Sequence, residues 1–105
     1  MQHYRLRHHP AVAQDLSDIA DLIAGFAGPK VALRRLAEIE VVVQHLERNP
    51  HVGTIRDDIA PGLRAIPAAR KGVVCFVVDE DTKDVLIVAI TYAGGAWRER
   101  VHTRG

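Results

Sequence analysis

One cysteine, Cys75, in 105 residues excludes an internal disulfide. It stands among Val and Phe, where a thiol is expected buried and inert, and a reducing cytoplasm suits it. No apolar run is long enough to span a bilayer, and the first residues are polar and basic rather than a signal sequence. A soluble, intracellular protein with no membrane partner is expected. Catalytic spacings are missing as well: there is no phosphate-binding glycine loop, no C-x-x-C, no H-E-x-x-H and no G-x-S-x-G. The six histidines do not converge on a metal. His8 and His9 are adjacent and would point to opposite sides of a strand, while His45 and His51 flank a helix end. No metal, cofactor or catalytic residue is therefore assigned. Repeats, low-complexity segments and linkers are also lacking, so residues 1–105 form one domain.

What the chain does have is a 48% apolar composition, enough for a modest core, and a net charge of only +1 that is unevenly placed. Met1–Pro10 holds two Arg, three His and no acid; Trp97–Gly105 holds three Arg, one His and one Glu. Two basic ends point to an anionic contact or simply to solvated termini.

Two stretches, Val73–Val78 and Val85–Ile90, are apolar on both alternating faces and read as strands covered on both sides. Upstream, His3–His9 alternates as a half-buried strand ending at Pro10. Val12, Leu16, Ile19, Ile23 and Phe26 then recur at helical spacing until Gly25 and Gly28, with Asp15, Asp18 and Asp21 assigned to the polar side. A second helix begins at Pro29 with a stripe of Ala32, Leu36, Ile39, Val43 and Leu46, and stops at Asn49-Pro50. Beside that stripe runs another, Leu33, Ala37 and Val41, which means either deeper burial or a docking groove. His51–Pro61 has loop composition, Leu63–Ala68 is a strand placed at an edge by Pro67, and Ala96–Gly105 is a polar tail with at most one helical turn.

The expected order is β-α-α-β-β-β: an α+β fold with an antiparallel sheet packed on a helical hairpin. The hairpin covers one sheet face and leaves the other apolar and bare. Burying an apolar side chain is worth roughly 1.5–3 kcal/mol, so that face calls for a partner chain. The basic residues Arg56, Arg64, Arg70, Lys71, Arg98 and Arg100 are expected to share a surface fit for phosphate, with Trp97 as a stacking or apolar anchor. Alternatively, Arg64 pairs with Asp57 or Asp58 and pins the loop.

The opening Tyr4-Arg5-Leu6-Arg7-His8-His9-Pro10, and above all R-x-D-x-x-P-G-L-R over Arg56–Arg64 before a valine-rich strand, resemble the RelE/ParE toxins of bacterial toxin–antitoxin operons, the ParE branch in particular. The likeness covers nearly the whole chain. It implies a toxin that stalls DNA gyrase on cleaved DNA. RelE-type relatives instead cut mRNA in the ribosomal A site with Lys, Arg and a C-terminal Tyr. Trp97-Arg98-Glu99-Arg100 is similar to the basic end of those enzymes, but Val101–Gly105 contains no Tyr and no Lys lies between Arg48 and Lys71. Arginine stays protonated and makes no general base, so the resemblance implies a binding toxin rather than a nuclease. A third reading is a toxin fold without poison activity. The resemblance also implies an antitoxin with a ribbon-helix-helix DNA-binding part, through which alone the toxin meets operator DNA. Its expected docking residues are Leu33, Ala37 and Val41 on the helix, with Val74, Phe76 and Ile87 on the sheet. Arg56, Arg64, Arg70, Lys71, Trp97, Arg98 and Arg100 are the expected target contacts.

Overall fold

The computed structural model describes residues 3–94 and 97–104. Among them the chain forms β1 (Arg5–His8), α1 (Val12–Ala27), α2 (Pro29–His45), β2 (Thr54–Ile55), β3 (Leu63–Ala68), β4 (Gly72–Asp79), β5 (Asp84–Tyr92) and α3 (Trp97–Arg104). Gly28 separates the two long helices at φ 92°, a value open to glycine at no steric cost, and Pro29 opens α2 where its missing N–H is not needed. Val12, Ile19 and Ile23 of α1 and Ala32, Ile39 and Val43 of α2 are buried, and so is Leu46 just past α2. Leu16 and Leu36 pack only partly against this core. Phe26, two residues before Gly28, is 67% exposed and leaves the expected stripe.

The strands lie in the order β1-β5-β4-β3-β2. β3, β4 and β5 pair antiparallel, as expected, and an additional β2 pairs antiparallel with β3, but β1 runs parallel to β5, with Leu6 opposite Val85. Parallel neighbours need a long connection, and the hairpin with the strands after it supplies one. The two-residue β2 was hidden in loop composition because it is too short to show a period. Gly53 makes it possible: a Cβ there would lie 2.5 Å from the Ala65 carbonyl oxygen.

The expectation of a bare sheet face needs correcting. Val74, Phe76 and Ile87, expected as docking residues, are fully buried beneath the hairpin together with Val85 and Ile90. Both faces of β4 and β5 are apolar, so the pattern does not say which one meets the helices. A register shift at Cys75/Phe76, with Cys75 opposite Ala89 and Phe76 opposite Ile87, adds a residue to β5 and disturbs the simple alternation. On the second face Leu63, Cys75, Val88 and Ala89 form their own cluster with Ile59 and Val101. The tail supplies that last residue: it is an eight-residue helix, α3, rather than a single turn.

The N-terminal strand is pinned at its start. Tyr4 donates to Glu80 at 2.9 Å, and Lys83 and His51 hold the same carboxylate. Lys83 foremost, then Tyr4 and His51, pull the Glu80 carboxyl down to about 2.

Phe76→Ala is expected to cost about 3–5 kcal/mol through the cavity it leaves, whereas Leu33→Ala, on a side chain 69% exposed, stays within about 0.5 kcal/mol. Urea unfolding of both variants checks this, and equal costs would contradict the assignment of faces.

Candidate functional site

β5 is nine residues long, but β1 has only four and pairs with Asp84–Ile87. Beyond the last bond, from the His9 N–H to the Ile87 carbonyl, the outer edge of β5 has backbone groups that must find other partners. Two side chains provide them. Asp15 of α1, 1% exposed, accepts the Ile90 N–H at 3.0 Å, and Arg104 of α3 donates to the Val88 carbonyl at 3.2 Å. Arg104 also grips both Asp15 oxygens, with Nη2–Oδ1 at 2.8 Å, and Arg100 reaches Oδ1 at 3.0 Å. Burial pushes the Asp15 carboxyl up. The Arg104 contact, the Ile90 N–H and the Arg100 charge more than offset it, leaving the group below its ordinary value.

This clamp was not expected, since Asp15 was placed on the solvated side with Asp18 and Asp21. The signal was present: Asp15 lies three residues after Val12 and four before Ile19, inside the core stripe. Arg100 and Arg104, four apart on α3, present their guanidiniums from one side.

The basic candidates do not all share one surface, though Arg56 and Arg98 both act on Asp58. Arg56 binds Asp58 through two bonds, 3.1 and 3.0 Å, and that pairing chiefly lowers the Asp58 carboxyl, to which Arg98 adds a smaller effect. Arg64 lies opposite Phe76 in the β3–β4 register and hence on the hairpin side. It donates to the Val52 carbonyl at 3.3 Å, so it pins the loop, though not through Asp57 or Asp58. Asp57 instead accepts the Gly62 N–H. Arg70 and Lys71 are exposed beyond the far end of β3, whose last residue is about 13 Å along the strand from Arg64 at ~3.3 Å per residue. Arg100 is committed to Asp15. Trp97 opens α3, but its side chain lies outside the described residues. The spread has a simple cause: alternation and turn position, not membership of neighbouring strands, decide where each side chain points.

On the second sheet face a cleft of about 410 Å³ is floored by Val77, Leu86 and Val88 and walled by Pro61 of the 56–62 turn and by Val101 and His102 of α3. Cys75 lies under this face, and burial pushes its thiol up to about 12, so it is no nucleophile. Among the described residues no group of His, Cys, Asp and Glu could hold a metal ion, and no helix is long and apolar enough to cross a membrane.

A helical hairpin on one face of a mostly antiparallel sheet, with a short terminal helix on the other, defines the RelE/ParE class of small toxins. The structural likenesses agree. A chromosomal ParDE toxin–antitoxin system from P. aeruginosa matches at a TM-score of 0.73 and 26% identity, over 86% of this chain and 96% of that one. Two others share the fold: the RelBE2 toxin–antitoxin complex of Mycobacterium tuberculosis (TM-score 0.61, 16% identity, 87% and 99% covered) and a mutant of E. coli RelE in the free state (0.67, 9%, 98% and 94%). No curated protein sequence matches significantly. The family model for the ParE toxin of the type II toxin–antitoxin system parDE matches residues 6–97. The chain belongs to that family and is a type II toxin.

A carboxyl with a lowered folded value stabilises fully above its unfolded titration and loses that contribution as pH falls through the folded one. The melting-temperature gap between wild type and Asp15→Asn is therefore expected to be constant above about pH 5 and to close below about pH 4. Thermal melts across that range check it, and a gap unchanged at about pH 2.5 would contradict the clamp.

Proposed function

We propose that this toxin arrests growth in the cytoplasm by binding DNA gyrase, with no bond-making reaction of its own, and that an antitoxin neutralises it. One observation carries the non-catalytic reading. Three arginines that could stabilise a scissile phosphate are engaged with carboxylates, Arg56 with Asp58 and Arg100 and Arg104 with Asp15. Membership of the ParE family supports gyrase over the ribosome.

The antitoxin reading draws on the ParDE relative and on an exposed apolar stripe. Leu33, 69% exposed, Ala37 and Val41, 57% exposed, are spaced four apart on α2 and suit the apolar face of an antitoxin helix. The partner carries a ribbon-helix-helix part, and operator DNA is met through it. Gyrase contacts are assigned to the exposed Arg70 and Lys71 in the β3–β4 turn, with Trp97 and Arg98 of α3.

Arg70 sits at φ 70°, a conformation that costs a non-glycine residue about 1–2 kcal/mol. Arg70→Gly removes that cost and the charge together. It is expected to melt no lower than wild type, yet to inhibit supercoiling by purified gyrase about tenfold less, the loss of one charge-assisted contact. Wild-type protein without effect on gyrase at micromolar concentration would sink the reading. A-site cuts in mapped transcripts would then favour a RelE-like endoribonuclease.

A further inference from the structure

Charge is divided between the two long helices. α1 carries three aspartates and no other charged residue. Asp15 is held in the clamp, while Asp18 and Asp21 are exposed. The first half of α2 is basic instead: Lys30 and Arg34 are exposed, and Arg35 is held by Glu38 at 2.8 Å. Among the described residues Asp21, Lys30 and Arg34 form no ion pair. Lys30, Arg34, Ala37 and Val41 follow one another at spacings of four, three and four. The two bases therefore continue the exposed apolar stripe toward the turn between the helices. On α1, Gln14, Asp18 and Asp21 repeat at four and three on the side away from the buried Val12, Ile19 and Ile23.

Their heights match as well. Asp21 lies seven residues before Gly28 and Arg34 six after it. At ~1.5 Å per residue the two stand about 10.5 and 9 Å from the turn. A second hairpin can be laid on the first about a two-fold axis parallel to the helices. That sets α1 over the copy's α2 and α2 over the copy's α1. Each Asp21 then stands at the height of the copy's Arg34, twice in the pair, and the same patch serves both chains. A two-fold axis across the helices stacks α1 on α1 and α2 on α2 and brings like charges together. The charge pattern thus selects one arrangement, a four-helix bundle. Acid on half of this face repels phosphate, whether of a nucleic acid or of a lipid, whereas its equal and opposite halves suit the face itself.

We propose that the free toxin pairs with a second copy of itself through the outer face of the hairpin, with Asp21 on the copy's Arg34 and the stripe of Leu33, Ala37 and Val41 covered between the two. The pairing goes beyond the proposed function and does not rest on it. An antitoxin helix on the same stripe displaces the copy, so the two exclude one another.

Light scattering on the free full-length toxin at micromolar concentration tests this, and a dimer is expected. Asp21→Arg and Arg34→Asp each set like charges opposite one another and are expected to weaken the dimer about tenfold or more. Both sites are exposed, so circular dichroism is expected to show both variants folded. The double variant exchanges the two signs, keeps the complement and is expected to regain most of the affinity. Leu33→Ala, which removes apolar contact without touching charge, is expected to weaken the dimer about tenfold. A wild type that stays monomeric overturns the proposal. So does a dimer indifferent to Leu33→Ala and the single exchanges, or one that the double variant fails to restore. Every arm reads the toxin alone, so these failures leave the gyrase and antitoxin readings standing. If the toxin is monomeric and Leu33→Ala weakens only its complex with a co-expressed antitoxin, the face belongs to the antitoxin and the pairing falls.

Discussion

The buried carboxylate of Asp15 is the contact on which the far side of the molecule depends. β1 is too short to pair the whole of β5, and the Ile90 N–H left over is closed by Asp15 rather than by another strand. The same carboxylate collects Arg100 and Arg104 and so holds α3 against β5. An eight-residue helix does not stand alone in water, because nucleation costs more than so few bonds return. Apart from Val101, its described side chains are polar or charged. The ion pair, together with the buried Val101, therefore sets where α3 lies, and α3 in turn walls the cleft on the second sheet face. Replacing such a pair with apolar groups of the same shape can be neutral, whereas removing one partner costs about 3–5 kcal/mol. Its main effect is thus to fix one arrangement of three elements.

Much of the fold was legible in the chain. Pro29 and the alternating spacing of Ile19, Ile23, Ile39 and Val43 marked the hairpin, and the runs around Phe76 and Ile87 marked the central strands. Those signals are strong because periodic burial repeats over many residues. The direction of β1 was not legible, since a strand carries the same pattern whether it pairs parallel or antiparallel. Nor was it clear which face of β4 the helices cover, because Val74 and Cys75 are equally apolar. α3 escaped for a related reason: its docking signal is one valine and two arginines that mean little until Asp15 is seen beside them.

The same limitation shaped the candidate site. Six basic residues in and around neighbouring strands read as a patch, but register and pairing divide them. Arg64 turns to the hairpin side, Arg56 closes on Asp58, and Arg100 closes on Asp15. What remains is a molecule with separate exposed features. An apolar stripe lies on the outer side of α2, a cleft lies on the second sheet face, and a basic turn projects from the end of the β3–β4 hairpin. On the proposed function, a target and a neutralising partner would use different ones.

A double-mutant cycle between Asp15 and Arg104, read by urea unfolding at neutral pH, tests the central claim most directly. If the carboxylate and guanidinium hold α1, β5 and α3 together, Asp15→Ala and Arg104→Ala should couple by about 2 kcal/mol or more, in the range measured for residues in contact. Strictly additive losses, within about 0.5 kcal/mol, would show that α3 is held by something else and contradict the account.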